Sequence, residues 1–202
     1  MITIVDFGSG NLGSIQNMLK KIGVKSNISS DIDDISQASK IILPGVGSFD
    51  TGIQNLQKLG ITETLNKKVL VEKVPILGIC LGMQLMCKKS AEGKLEGLSW
   101  FNTELVKFDP ILGLRIPHMN WAHTAILKES PLFDDLTVDA KFYHVHSYHV
   151  SGRPNESILE SCYHGFNFVS ALQKDNIIGV QFHPEKSHKF GMIMLRNFVN
   201  NF

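Results

Sequence analysis

Leu77-Gly78-Ile79-Cys80-Leu81-Gly82-Met83-Gln84 sets a thiol between two glycines, each two residues away. The preceding Val74-Pro75-Ile76-Leu77 reads as a buried strand, and Met83-Gln84-Leu85-Met86 reads as the opening of a helix. A reactive residue on so tight a strand-to-helix turn needs small neighbours. Side chains there would collide with the turn and with an incoming substrate. The helix then aims its free N–H groups and the positive end of its dipole at the sulfur, the field that suits a nucleophile.

The segments before this turn alternate strand and helix. Ile2–Phe7 reads as an apolar strand, followed by the turn Gly8-Ser9-Gly10-Asn11 and a helix whose Leu12, Ile15, Leu19 and Ile22 recur at helical spacing until Gly23. Lys25–Ser29 and Lys40–Leu43 read as further strands, with helical segments near 50–58 and 62–72. Apolar strands alternating with helices predict a parallel sheet covered on both faces. The second half predicts short strands at Lys141–Val150, Ser157–Tyr163, Phe168–Gln173 and Ile177–Phe182, with a hairpin turn at Lys174-Asp175-Asn176. A last helix, His188–Asn200, is expected to pack through Met192, Leu195 and Val199. No repeat or linker divides the chain, so residues 1–202 are expected to form one α/β domain with a mixed, mostly parallel sheet flanked by helices.

Composition excludes several classes of function. Twenty basic and nineteen acidic residues spread along the chain give no electrostatic case for nucleic acid or an anionic membrane. The lysine pairs at 20–21, 67–68 and 88–89 read as solvated helical faces. Three cysteines without framework spacing fit a reducing cytoplasm. The N-terminal strand has no basic segment or cleavage site of a secretory signal, and the uncharged stretch from Val74 to Cys87 is too short to span a bilayer. A soluble, cytoplasmic protein is expected.

Gly179-Val180-Gln181-Phe182-His183-Pro184-Glu185 supplies a strand that ends in a histidine and a carboxylate. Cys80, His183 and Glu185 are the parts of a nucleophile, its base and the group that orients the base. A cysteine in an apolar run is ordinarily a small core residue, and Cys87 and Cys162 keep that reading. Pro44-Gly45-Val46-Gly47 follows a strand, where open α/β sheets collect ligands, and its glycines let backbone N–H groups turn inward as an oxyanion hole requires. Gly8, Gly10 and Gly13 have dinucleotide-loop spacing, but Asp31, Asp33 and Asp34 come past the end of the second strand, so no cofactor is assigned. In His144-Val145-His146-Ser147-Tyr148-His149, a strand would put 144 and 146 on one face and 149 on the other. With no Cys or carboxylate nearby, no metal is assigned, and polar contacts to a substrate or ordinary sheet packing are preferred.

Together these segments resemble the class I, triad-type glutamine amidotransferases, and within them the glutaminase subunits of imidazole glycerol phosphate synthase. The resemblance rests also on Asp6-Phe7-Gly8-Ser9-Gly10-Asn11-Leu12, Leu43 to Phe49, Pro117-His118-Met119-Asn120-Trp121, His146-Ser147-Tyr148 and the continuation Lys186-Ser187. It implies that Cys80 attacks the side-chain amide of glutamine, with His183 as base and then acid and Glu185 holding the imidazole. The Leu81 N–H, with one from Val46 or Gly47, would stabilise the oxyanion. Gln84, His146, Ser147 and Tyr148 would line the glutamine pocket. Asn11, Trp121 and Lys186 would face a partner, in that family a cyclase subunit with a (β/α) barrel that receives the ammonia in histidine biosynthesis. Ser9, Gly13, Asn120 and Ala122-His123 differ from the usual pattern. The segments from Ser14 to Gly23 and from Glu185 to Gly191 resemble a branch that feeds ammonia to a sugar-amidating enzyme of surface polysaccharide synthesis.

Overall fold

A computed structural model describes residues 1–110, 115–163 and 166–202, the side chains of 162 and 163 excepted. The first half builds β1 (Ile2–Val5), α1 (Leu12–Lys21), β2 (Ser26–Ser29), α2 (Ile32–Ser36), β3 (Lys40–Gly45), α3 (Phe49–Lys58), α4 (Thr62–Asn66), β4 (Ile76–Cys80) and α5 (Leu81–Leu85). The second half contributes β5 (Lys89–Ser90), β6 (Glu104–Lys107), β7 (His118–Ile126), β8 (Lys141–His146), β9 (Tyr148–Val150), β10 (Ser157–Tyr163), β11 (Phe166–Lys174), β12 (Ile177–Val180) and α6 (His188–Asn201). Nine strands form one sheet in the order β2-β1-β3-β4-β12-β11-β10-β7-β8, and β5-β6-β9 form a small second sheet. The five strands from β2 to β12 run parallel, and antiparallel pairing takes over beyond β12.

Period-two alternation sorts the parallel strands onto two cores. On β3, Ile41 and Leu43 pack with Phe49, Leu81 and Met83 on one face. Ile42 joins Ile15, Leu19, Phe182, Met194, Leu195 and Phe198 on the other. The central strands β1, β4 and β12 are buried at every position, as coverage on both faces requires. Asp31 caps α2 by accepting from the N–H groups of Asp33 and Asp34 at 2.7 and 3.4 Å, so this acidic run starts a helix. Among the described residues no helix is long and apolar enough to cross a membrane.

Several sequence expectations need correction. The helix expected over 62–72 becomes α4 followed by a π turn, Lys67–Val71, closed by a Glu72 N–H to Lys67 O bond of 2.9 Å. That wider turn buries Lys68, whose ammonium meets Glu72 at 2.7 Å, so of the pair at 67–68 only Lys67 stays exposed to solvent. Lys88 and Lys89 lie in a turn and in β5 and are not helical. Helix α5 begins at Leu81, directly after Cys80. On α6 the buried stripe runs through Phe190, Met194, Leu195 and Phe198, while Met192 and Val199 are only half-buried. The expected strand Lys141–Val150 breaks at Ser147, where the chain leaves the large sheet for the small one. The nine-residue β7 was not foreseen, because only His118 and Ala122 of its residues are buried and no apolar alternation marks it. The Cys162 side chain lies outside the described residues.

The close fit of α5 over the sheet has a single-residue test. A Cβ on Gly82 would lie 1.7 Å from the carbonyl oxygen of Leu43, a backbone atom fixed in β3. Gly82→Ala is expected to destabilise the fold by about 3 kcal/mol or more, the upper range for overpacking. Denaturant unfolding measures this, and a variant within about 0.5 kcal/mol of the parent would show that α5 moves freely.

Candidate active site

Cys80 ends β4 and borders α5 with φ 53° and ψ −109°, a strained conformation for a residue with a Cβ. The strain holds the sulfur at the carboxyl end of the sheet. Strand β12 runs parallel beside β4, with Gly179 against Gly78 and Val180 against Ile79, and delivers the segment from Gln181 to Glu185 to the same end. His183 Nδ1 donates to Glu185 Oε1 at 2.8 Å, and both side chains are almost wholly buried. Burial disfavours charge on this imidazole, yet the Cys80 sulfur and the Glu185 carboxylate outweigh it and lift His183 to about 10.

The His183 loop is fastened to the neighbouring strand. The His183 N–H donates to Tyr143 O at 2.9 Å, the Tyr143 N–H donates to Ser187 Oγ at 3.0 Å, and that hydroxyl donates to His183 O at 2.6 Å. Behind the sulfur, Gln181 Nε2 lies 3.7 Å from Cys80 Sγ while its Oε1 accepts from Gln84 Nε2 at 3.0 Å. Gln84 is therefore held by Gln181 at the edge of the cavity.

A cavity of about 310 Å³ opens at Cys80. The Val46–Gly47 loop and Leu81 form one wall, His146, Ser147 and Tyr148 the other, and Gln84 and Glu92 also line it. Eight sequence-predicted residues (Cys80, Val46, Gly47, Leu81, Gln84, His146, Ser147, Tyr148) thus surround one space. Ser147 and Tyr148 reach it because the chain bends between β8 and β9. Val46 does not offer its N–H to this space. That N–H donates to Ser9 Oγ at 2.8 Å, and the Ser9 hydroxyl donates back to Val46 O. Gly47, at φ +106° where a side chain would strain the backbone, is the residue of the loop left to turn inward.

Asn11, Trp121 and Lys186 stand apart from the cavity. Asn11 is exposed before α1. Trp121 stacks on His188 at 5.4 Å, and the Lys186 ammonium lies 5.7 Å from the Tyr143 ring centre. Sequence reasoning missed Glu92, which lines the cavity and accepts the Phe49 N–H at 2.8 Å; its loop, Ser90 to Lys94, bears no pattern that marks it. It also missed the locking role of Ser9. The face assigned to His149 needs correction, since its ring lies 4.5 Å from Phe108, the ring that also packs on His146 at 5.4 Å. The break at Ser147 turns His149 toward the same aromatic cluster.

A family model described as Glutamine amidotransferase class-I matches residues 3–202. The chain belongs to this family. It is 51% identical over 199 residues to a Methanococcus maripaludis protein named imidazole glycerol phosphate synthase subunit HisH 2, covering 98% of each chain. It is 43% identical to a Pseudomonas aeruginosa protein of the same name, again over 98% of each. Two solved structures share the fold: a glutamine amidotransferase (TM-score 0.74, 15% identity, 98% of this chain and 97% of that one) and PurLQS from Thermotoga maritima (TM-score 0.74, 15% identity, 99% and 97%). As a class-I glutamine amidotransferase the chain is an enzyme whose nucleophile class is cysteine, which fits a thiol on a strained turn.

The raised His183 couples stability to pH. The folded chain holds a proton on this imidazole up to about 10, whereas the unfolded chain loses it near 6.5. Its contribution is full below 6.5 and is lost as pH rises from there through about 10. Denaturation midpoints are expected to fall across that window, with a slope of at most about 1.4 kcal/mol per pH unit from this group. His183→Asn should flatten that part of the profile, and an unchanged profile in the variant would remove His183 as its source.

Proposed function

We propose that this chain is the glutaminase subunit of an imidazole glycerol phosphate synthase. The observation that carries the reading is the buried His183–Glu185 pair delivered by β12 to the end of β4, beside a strained cysteine at the mouth of a cavity. The names of the full-length relatives supply the pathway.

Glutamine enters the cavity with its side-chain amide at Cys80. The sulfur forms a bond to the amide carbon with its proton already held on His183, and the imidazolium passes that proton to the departing nitrogen, which leaves as ammonia. The Leu81 and Gly47 N–H groups stabilise the oxyanion. The glutamyl thioester is then hydrolysed: His183 takes a proton from water, the C–S bond breaks, and glutamate and the thiol are released. Glu185 keeps the imidazole oriented throughout. Gln84, His146, Ser147 and Tyr148 hold the substrate, and Glu92 suits its α-ammonium group. The ammonia has to reach its acceptor unprotonated, so the acceptor site belongs to a partner docked against Asn11, Trp121 and Lys186, a barrel cyclase subunit. The Ser9 bonds keep Val46 in place and leave the oxyanion loop unfinished, so turnover without the partner is slow.

Cys80→Ala is expected to lower glutamate release at least about 10³-fold while leaving the fold intact, and Glu185→Gln to cost less than His183→Ala, because it transfers no proton. An electrophilic glutamine analogue should label Cys80 and spare Cys87, whose thiol burial pushes up to about 12. Labelling at Cys87 would overturn the assignment.

Partner dependence is a separate test. The chain is mixed with a histidine-pathway barrel cyclase or with a sugar-amidating synthase from the same genome, each with its acceptor, and glutamate is measured. Stimulation by the cyclase supports the proposal, and stimulation by the sugar system alone replaces it. Ser9→Ala is expected to raise the partner-free rate several-fold by releasing Val46; a rate equal to the parent's would exclude that lock.

A further inference from the structure

His118, His144 and His146 come from two paired strands. In the antiparallel β7–β8 ribbon His118 lies opposite His146, and His144 precedes His146 by two residues, so all three imidazoles leave one face. All three residues are buried, and each can offer one ring nitrogen such that the three atoms lie within 4.8 Å of one another. The Phe168 ring lies 5.6, 5.4 and 5.2 Å from the three imidazole centres and seals the cluster on its apolar side.

The nitrogen inventory of this cluster does not close. His146 Nδ1 donates to Tyr148 O at 2.8 Å, which leaves Nε2 as the lone-pair nitrogen. That Nε2 faces His144 Nδ1 at 3.1 Å, which must then be the donor. His144 Nε2 is left with a lone pair, fully buried, and no hydrogen-bond partner among the described residues. Clustered imidazoles around a buried lone pair without a donor form a site for a cation, and imidazole is the commonest ligand for zinc.

The spacing suits that ion. Zinc holds each His nitrogen at about 2.0–2.1 Å in a tetrahedron, which puts ligand nitrogens about 3.3 Å apart. The three ring nitrogens lie within 4.8 Å of one another, so small ring rotations bring them onto that tetrahedron. The bond from His146 to a backbone carbonyl is also the outer contact that orients metal-binding imidazoles and fixes their tautomer. We propose that His118, His144 and His146 bind one zinc ion on the inner face of β7–β8, tying the two strands together beside the cavity wall that His146 also forms. The site uses neither Cys80 nor His183.

The test uses the full chain, stripped with a chelator, incubated with zinc sulfate or cobalt chloride, and desalted. Metal content is measured for the parent, Cys80→Ser and His144→Phe, with affinity from competition against a chromophoric chelator. The parent and Cys80→Ser are expected to retain one zinc per chain, and His144→Phe to bind at least about a hundredfold more weakly. The cobalt form should show the visible bands of a four-coordinate site without a thiolate-to-cobalt charge-transfer band. Loss of zinc from the parent on desalting overturns the proposal and leaves a hydrogen-bonded histidine network. Loss in Cys80→Ser, a thiolate band, or undiminished binding by His144→Phe overturns it as well. If His144→Phe does not fold, metal content and the cobalt spectrum of the parent decide alone.

Discussion

The pairing of β12 against β4 is the contact on which the rest of the structure depends. Cys80 and His183 are far apart in the chain, and only the parallel register Gly179–Gly78, Val180–Ile79 sets both at one end of the sheet. Parallel neighbours present their carboxyl ends together, which is why open α/β sheets gather reactive groups there. A slip of β12 by one residue would turn Val180 away from the core it shares with Ile79 and would carry the base away from its nucleophile. The burial of both strands on both faces makes such a slip costly, so the same apolar packing that stabilises the sheet sets the chemistry.

Around that pair, hydrogen bonds from polar side chains do most of the positioning. Ser187 and Tyr143 fasten the His183 loop to β8, and Gln181 links Cys80 to Gln84. The Val46–Gly47 loop is held by a single serine on a different turn. Bonds of this kind stabilise by only about 0.5–1.5 kcal/mol each, so the loop is the part of the site that binding energy from a docked partner could rearrange while the buried pair stays in place. Lys186 and His188, which follow Glu185 along the chain, are exposed and pack on the half-buried rings of Tyr143 and Trp121.

The break of the ribbon at Ser147 has effects on both sides. It sends Ser147 and Tyr148 to the cavity, and it gives His146 a carbonyl from Tyr148 to bond. The same bend gathers His118, His144, His146 and His149 around Phe108 and Phe168, so polar rings occupy an interior that elsewhere is filled by aliphatic residues.

The sequence by itself determined the elements whose cause is local. Apolar runs bounded by glycine and proline mark β1, β3, β4 and β12, and helical spacing marks α1. Gly78 and Gly82 mark the turn at Cys80, because close backbone approach admits no Cβ. Tertiary structure alone decided what depends on long-range pairing. Strand β7 has no apolar alternation and exists because β8 and β10 bracket it. Glu92 reaches the cavity only because its loop is bonded to the start of α3. Lys68 is buried by a π turn that no spacing rule marks, and Val46 loses its N–H to a serine in another segment. His144 and His146 joined His118 in a cluster when the ribbon set His118 opposite His146, since a strand's own sequence states which face a residue takes but not which strand lies across from it.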